Sequence, residues 1–407
     1  MSEKKQQVQK RKVFYVPGYD PILPRRYREL YRTEGALQAG VSGYDLTLKG
    51  KGGQHHTYGW TVDTTVKGQG THTDFDFLLW SDIVQNSMKR TIVGSFWLLA
   101  RTAWAYIATG SLFRLMKLQK GPIIAALYPV VVLLAQLMVG LFLGYLSSRV
   151  VGSFSHWTLG GLAGIAVLSA VMIWFKSIDN KIYAYYLMHD YAFSAQYDGD
   201  IPEVLQHRMR DFADRIHAAL QSDVDEVLVV GHSSGAHLSI SILADLIRRY
   251  GVNAKGPKLA FLTLGHVVPM VSFLPKAWML RRDVQYLCQR EELTWVDVTA
   301  PGDGCTFALC DPAAVSGVAP EMGQRGPLVI SGAFTQTLSK EYYARIKNRF
   351  FRIHFQYLCH FDCPRDYDYF QITAGPETLE TRFEGRAPSP SKITRAVNKF
   401  TSVEAPK

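Results

Sequence analysis

Cysteine is scarce in this chain of 407 residues. The five present, Cys288, Cys305, Cys310, Cys359 and Cys363, are odd in number and irregularly spaced, which excludes a secreted disulfide framework. "CHFDC" (359–363) has no second Cys/His pair at zinc spacing, so no metal site is expected, and no motif asks for a cofactor. RNP, helix-turn-helix and zinc-finger patterns are missing as well, so no nucleic-acid partner is expected. The first apolar run, "VFYV", is too short for the core of a signal peptide, which leads us to expect the N-terminus on the cytoplasmic side. No self-similar period marks a solenoid. The net charge of +10 is left to serve anionic lipid or cytoplasmic-side placement.

What the chain does have is a concentrated apolar middle. "GPIIAALYPVVVLLAQLMVGLFLGYL" (121–146) and "WTLGGLAGIAVLSAVMIWF" (157–175) carry no charge, and about 20 such residues cross a bilayer. Both are rich in Gly and Ala, as packed membrane helices are. "TIVGSFWLLARTAWAYIATGSLF" (91–113) differs, because Arg101 sits at its centre and a charge at mid-membrane is costly. With Trp97, Trp104 and Tyr106 it reads as an interfacial helix, a third span being the alternative. Lys89, Arg90, Arg114, Lys117 and Lys120 flank one side of the spans, and Lys176 and Lys181 the other. The positive-inside rule then sets both flanks in the cytoplasm, for a multi-pass protein of the cell inner or plasma membrane.

The flanking regions alternate strand and helix patterns. Before the insertion come strand "KVFYV", turn "PGYDP", helix "RRYRELYRTEG" and strands "YDLTL", "TYGWTVDTTV" and "DFDFLLW". After it come an amphipathic helix at 202–222, strand "EVLVV", helix "HLSISILADLIRRYG", and strands "KLAFLTLG" and "LTWVDV". The expected fold is α/β: a mostly parallel sheet flanked by helices and interrupted by a membrane-embedded helical insertion. The expected division is 1–90 and 177–383 as two parts of one domain, 91–176 as the membrane region, and 384–407 as a disordered tail, since "EGRAPSPSKITRAVNKFTSVEAPK" is polar, basic and proline-bearing. If strands from both sides share one sheet, both parts lie on one side of the membrane, which requires an even number of spans.

"VLVVGHSSGAHLSI" (227–240) carries the chemistry. Gly231-His232-Ser233-Ser234-Gly235 follows an apolar strand directly and opens a helix, the setting of a strained turn that projects a serine above a sheet edge. The following helix points its N-terminus at the site and favours negative charge there. The motif in this context resembles the lipase and esterase branch of the α/β-hydrolase fold, over roughly 10–85 and 200–375.

That resemblance implies Ser233 as nucleophile, followed in chain order by an acid and a histidine. Asp303, in the turn after "LTWVDV", is the preferred acid; Asp297 falls inside the strand, and Asp311 is a third option. His354 and His360 are the two histidines after Asp303, His354 in "HFQY" being favoured and His360 the alternative base. The resemblance also implies an oxyanion hole from the backbone N–H groups of Ser234 and Tyr19, with Asp20 the runner-up for the second donor. Pro17 stands where relatives often carry the His of a His-Gly pair. The expected function is a membrane-anchored serine hydrolase cleaving carboxylic esters, with membrane lipid as partner and an apolar acyl ester as substrate. A non-catalytic membrane scaffold or signalling protein retaining the fold is the alternative.

Overall fold

The computed structural model describes residues 7–51 and 58–405. The first residues of the basic N-terminal start and the last two of the tail lie outside them. Eight strands form one sheet in the order β2-β3-β4-β1-β5-β6-β7-β8. They are β1 (Lys10–Val16), β2 (Asp45–Gly50), β3 (Tyr58–Val66), β4 (Gln69–Phe77), β5 (Glu226–His232), β6 (Lys258–Leu264), β7 (Leu293–Thr299) and β8 (Leu328–Ser331). From β4 to β8 all pairings are parallel, while β2–β3 and β3–β4 are antiparallel. The sheet is therefore mostly parallel, with an antiparallel edge.

β5 is buried along its whole length, as its near-continuous apolar run requires of a central strand covered on both faces. Its alternate residues serve two cores. Val227 and Val229 join Phe14 and Val16 under the helices Glu203–Leu220, Ser234–Tyr250 and Trp278–Leu287. Leu228 and Val230 join Val13 and Tyr15 under the helix Arg25–Ser42 and the segments after β8. β1 and β5 pair directly, Lys12 against Val227 and Val16 against Gly231. The two parts of the chain on either side of the apolar middle are thus one sheet.

Two helices are long and apolar enough to cross a membrane, Gly121–Phe154 and Trp157–Ser177. The first runs eight residues beyond the expected end at 146, because only Ser155 and His156 are needed to turn the chain back. The two pack closely through small residues: a Cβ on Gly144 would lie 2.7 Å from the Gly164 carbonyl oxygen. The expected interfacial segment is two helices, Ile92–Ala108 and Ser111–Leu115. The longer, at 17 residues and ~25 Å, falls short of a ~30 Å hydrocarbon core. It buries Leu98, Leu99 and Tyr106 and exposes Val93, Trp97 and Trp104. Arg101 is not stranded in apolar surroundings, since its guanidinium donates to the Gln196 carbonyl at 2.8 and 3.2 Å.

One expectation needs correction, and one helix had none. The tail, expected to be disordered, lies against the domain over 384–405: Asn398 donates to the carbonyls of Ser272 and Ser316, Arg281 to that of Ser402, and Ile393 and Val397 pack on a buried cluster. Its few apolar residues are spaced to reach that cluster, which composition alone does not register. The helix Ala184–Ala195 had no sequence expectation, yet it runs from the two long apolar helices back to the domain and buries Ala184, Tyr185, Met188 and Ala192.

A buried ion pair fastens the sheet centre. Arg11 Nε on β1 lies 2.6 Å from Glu226 Oε2 on β5, both side chains being excluded from solvent. Arg11 also donates to the carbonyls of Gly375 and Glu377, and Glu226 Oε1 accepts from the Leu379 amide. Removing one partner strands the other charge, so Glu226→Ala is expected to cost about 3–5 kcal/mol in chemical denaturation, whereas Arg11→Met with Glu226→Leu together should cost much less.

Candidate active site

The segments that follow β1, β5, β6 and β7 converge on one cavity of about 430 Å³, through Gly18, Ser233, Val267 and Cys305. Ser233, the residue between β5 and the helix Ser234–Tyr250, has φ 57° and ψ −123°, a conformation a non-glycine residue adopts only under strain. Its amide donates to the Leu264 carbonyl at 3.0 Å, and its own carbonyl accepts from Ala236 at 3.1 Å, which hold the turn in place. The helix after it must start close to β1: a Cβ on Gly235 would lie 2.1 Å from the Val16 oxygen and 2.6 Å from the Pro17 oxygen. Only glycine fits there.

The loop after β1 folds over the serine. Trp80 Nε1 donates to the Pro17 carbonyl at 3.0 Å, and the Tyr186 hydroxyl donates to the Tyr19 carbonyl at 2.6 Å. Asp20 accepts from the Ile22 amide and the Tyr27 hydroxyl. Gly18 passes so near that a Cβ there would lie 3.0 Å from that of Ser233. Among the described residues the amides of Tyr19 and Ser234 donate to no protein acceptor, while the Asp20 amide is spent on the Gly18 carbonyl at 2.8 Å. The two expected oxyanion donors are the free ones, and both residues line the cavity.

The acid and base candidates sort themselves by partner. His354 Nδ1 lies 2.8 Å from Asp303 Oδ2, and both residues are buried. Burial alone would raise the Asp303 carboxyl; the charge and hydrogen bond of His354, with the Cys305 amide, outweigh it and hold the carboxyl below its ordinary value. His354 and Ser233 line the same cavity. His360 instead faces Glu34, its Nδ1 2.6 Å from Oε2 and its backbone amide on the same oxygen, with its ring stacked on Tyr342. Asp297 stays inside β7, bonded to Thr263 Oγ1 at 2.6 Å. Asp311 caps the short helix Pro312–Val315.

Two residues that the sequence did not single out for roles complete the site. His232, just before the serine, donates from Nε2 to the His354 carbonyl at 3.1 Å. Burial, with the neighbouring His354 charge, pushes its imidazole down to about 3, so it stays neutral and keeps that bond. Asp190, on the helix Ala184–Ala195, is half-buried on the cavity wall beside Ser234 and His354. Burial pushes its carboxyl up to about 7, against the His354 charge and a Ser234 hydrogen bond. An isolated acid inside an aromatic stretch was the only sequence signal for it. A third grouping is chemical: Asp303, Cys305 and His354 bring potential metal-ligand atoms within 4.8 Å of one another, but the Asp303–His354 hydrogen bond already engages two of the three.

Such an arrangement can deprotonate a serine hydroxyl, orient the imidazolium that forms, and meet an oxyanion with two amides. Gly235→Ala is expected to cost about 3 kcal/mol of stability by chemical denaturation, the upper end of overpacking penalties. Asp190 gives a pH test. Its folded pKa lies above its unfolded value, so its stabilising contribution is full below about pH 4 and is lost as pH rises through about 7. Wild type should therefore lose thermal stability relative to Asp190→Asn between pH 5 and pH 8, by on the order of 5 °C in Tm.

Comparison with family models, curated proteins and solved structures returned no match, so the functional reading rests on the residues and their geometry.

Proposed function

We propose that the chain is a membrane-anchored serine hydrolase of α/β-hydrolase type that cleaves carboxylic esters with apolar acyl groups. The observation that carries this reading is the buried Asp303–His354 hydrogen bond on the wall of a cavity that also holds Ser233 in its strained turn. In this mechanism His354 takes the Ser233 proton as Oγ attacks the acyl carbon. The Tyr19 and Ser234 amides meet the oxyanion, and the imidazolium, held by Asp303, protonates the leaving alcohol. Water, deprotonated by His354, then attacks the acyl-enzyme and releases the carboxylic acid and free Ser233.

The substrate class follows from the cavity walls and the helices nearby. Aromatic and aliphatic side chains dominate the lining, among them Ile22, Tyr183, Phe350, Phe351 and Met270. Continuity of β1 with β5 across the apolar insertion supports a two-span topology with all of the sheet on one side, and the basic flanks favour the cytoplasmic side of the membrane.

Fluorophosphonate labelling of the full chain tests the reading. Wild type should label at Ser233, and Ser233→Ala should not. His354→Ala and Asp303→Asn should slow labelling by about 10³–10⁴-fold, while His360→Ala should label within a few-fold of wild type. Slow labelling in His360→Ala with fast labelling in His354→Ala would exchange the base. A folded wild type that never labels would favour a non-catalytic scaffold.

A further inference from the structure

A second cavity, of about 630 Å³, lies against the first. One wall is the start of the long apolar helix, through Ile124, Ala125 and Tyr128. The opposite wall is shared: Tyr183, Leu187, Phe350 and Phe351 line both this cavity and the one that holds Ser233. Phe351 packs on Tyr183 and Tyr186, with ring centroids 4.7 and 5.9 Å apart. The partition between the two spaces is therefore contributed by those four residues, which are all aromatic or aliphatic. The Tyr128 hydroxyl donates to the Ile182 carbonyl at 2.8 Å and so ties the apolar helix to the cavity rim.

The outer side of this cavity continues onto exposed apolar surface. Ile124 is 68% exposed, and Val131 and Met138 extend the same exposed character along the helix. At the rim, Lys181 and Arg349 are exposed, and their charged side chains have no hydrogen-bond or ion-pair partner among the described residues. Arg352 is already engaged by Gln356 and Tyr342, and the Asp179 carboxylate by the amides of Tyr185 and Tyr186. An apolar channel with two uncommitted cations at its mouth matches a lipid with an anionic headgroup, whose charge stays at the interface while its acyl chain passes inward.

We propose that this second cavity is the route by which an anionic membrane lipid presents its acyl ester to Ser233, with Lys181 and Arg349 holding the headgroup. The proposal rests on the serine-hydrolase reading and adds the substrate class and its direction of entry. Its test uses the full chain reconstituted in phosphatidylcholine vesicles, with and without phosphatidylglycerol, and p-nitrophenyl acetate as a soluble ester that needs no membrane route. Wild type should release fatty acid faster from the phosphatidylglycerol vesicles. Ile124→Trp fills the route from an exposed position, so it should lower that release by about tenfold or more. The same variant should leave p-nitrophenyl acetate turnover unchanged. Lys181→Gln with Arg349→Gln should reduce the preference for phosphatidylglycerol by about fivefold per charge removed. Equal loss of both activities in Ile124→Trp, or soluble-ester turnover with no release from either vesicle, would overturn the lipid route and leave the hydrolase reading standing. A wild type that neither labels with fluorophosphonate nor turns over either ester would overturn both.

Discussion

Two backbones come together where β1 ends and the helix Ser234–Tyr250 begins, and the site is organised around that approach. With Gly235 seated on the carbonyls of Val16 and Pro17, the helix N-terminus and the loop after β1 are brought to one place. From there the rest follows by covalent geometry. Ser233 is two residues from the contact on one chain, and Tyr19 is two residues beyond Pro17 on the other. Their relative position is thus set by a close packing of main chain, which tolerates far less variation than a contact between long side chains. The strain stored at Ser233 is held by two further bonds, its amide to the Leu264 carbonyl at the end of β6 and its carbonyl to the Ala236 amide of the following helix.

The apolar insertion takes advantage of how the sheet is ordered. The chain leaves after β4, which lies beside β1, and returns to form β5, which lies on the other side of β1. Departure and return therefore flank a single strand. A hairpin of helices can be inserted there without altering any strand pairing. The helix Ala184–Ala195 links the insertion to the cavity, since it leads from the second apolar helix to the cavity wall and supplies Asp190 there.

Much of the sheet could be read in the sequence because its determinants are local. The apolar run of β5, the period of the helix 203–220 and the glycines around Ser233 each speak within a dozen residues. The loop after β1 was approachable for the same reason, through its Pro-Gly turn. The selection of His354 over His360 was not local: both sit in one short aromatic stretch, and only the fold shows that one meets Asp303 while the other meets Glu34, far upstream. Asp190 was illegible because a lone carboxyl in "YYLMHDYAFSA" has no periodic context, its meaning arising only from the cavity it faces. The tail misled because composition reports average polarity, whereas its packing depends on a few placed residues such as Ile393 and Asn398.

The bond from His232 to the His354 carbonyl has a further consequence. The residue adjoining Ser233 holds the backbone of His354, so the serine and the histidine are gauged from a common datum. A displacement of the short helix Phe350–His354 as a body would be resisted at its last residue and freer at its first, where Phe350 and Phe351 form the partition. Its last residue is thus tied to the strand that leads into Ser233, while its first two stand between the cavities.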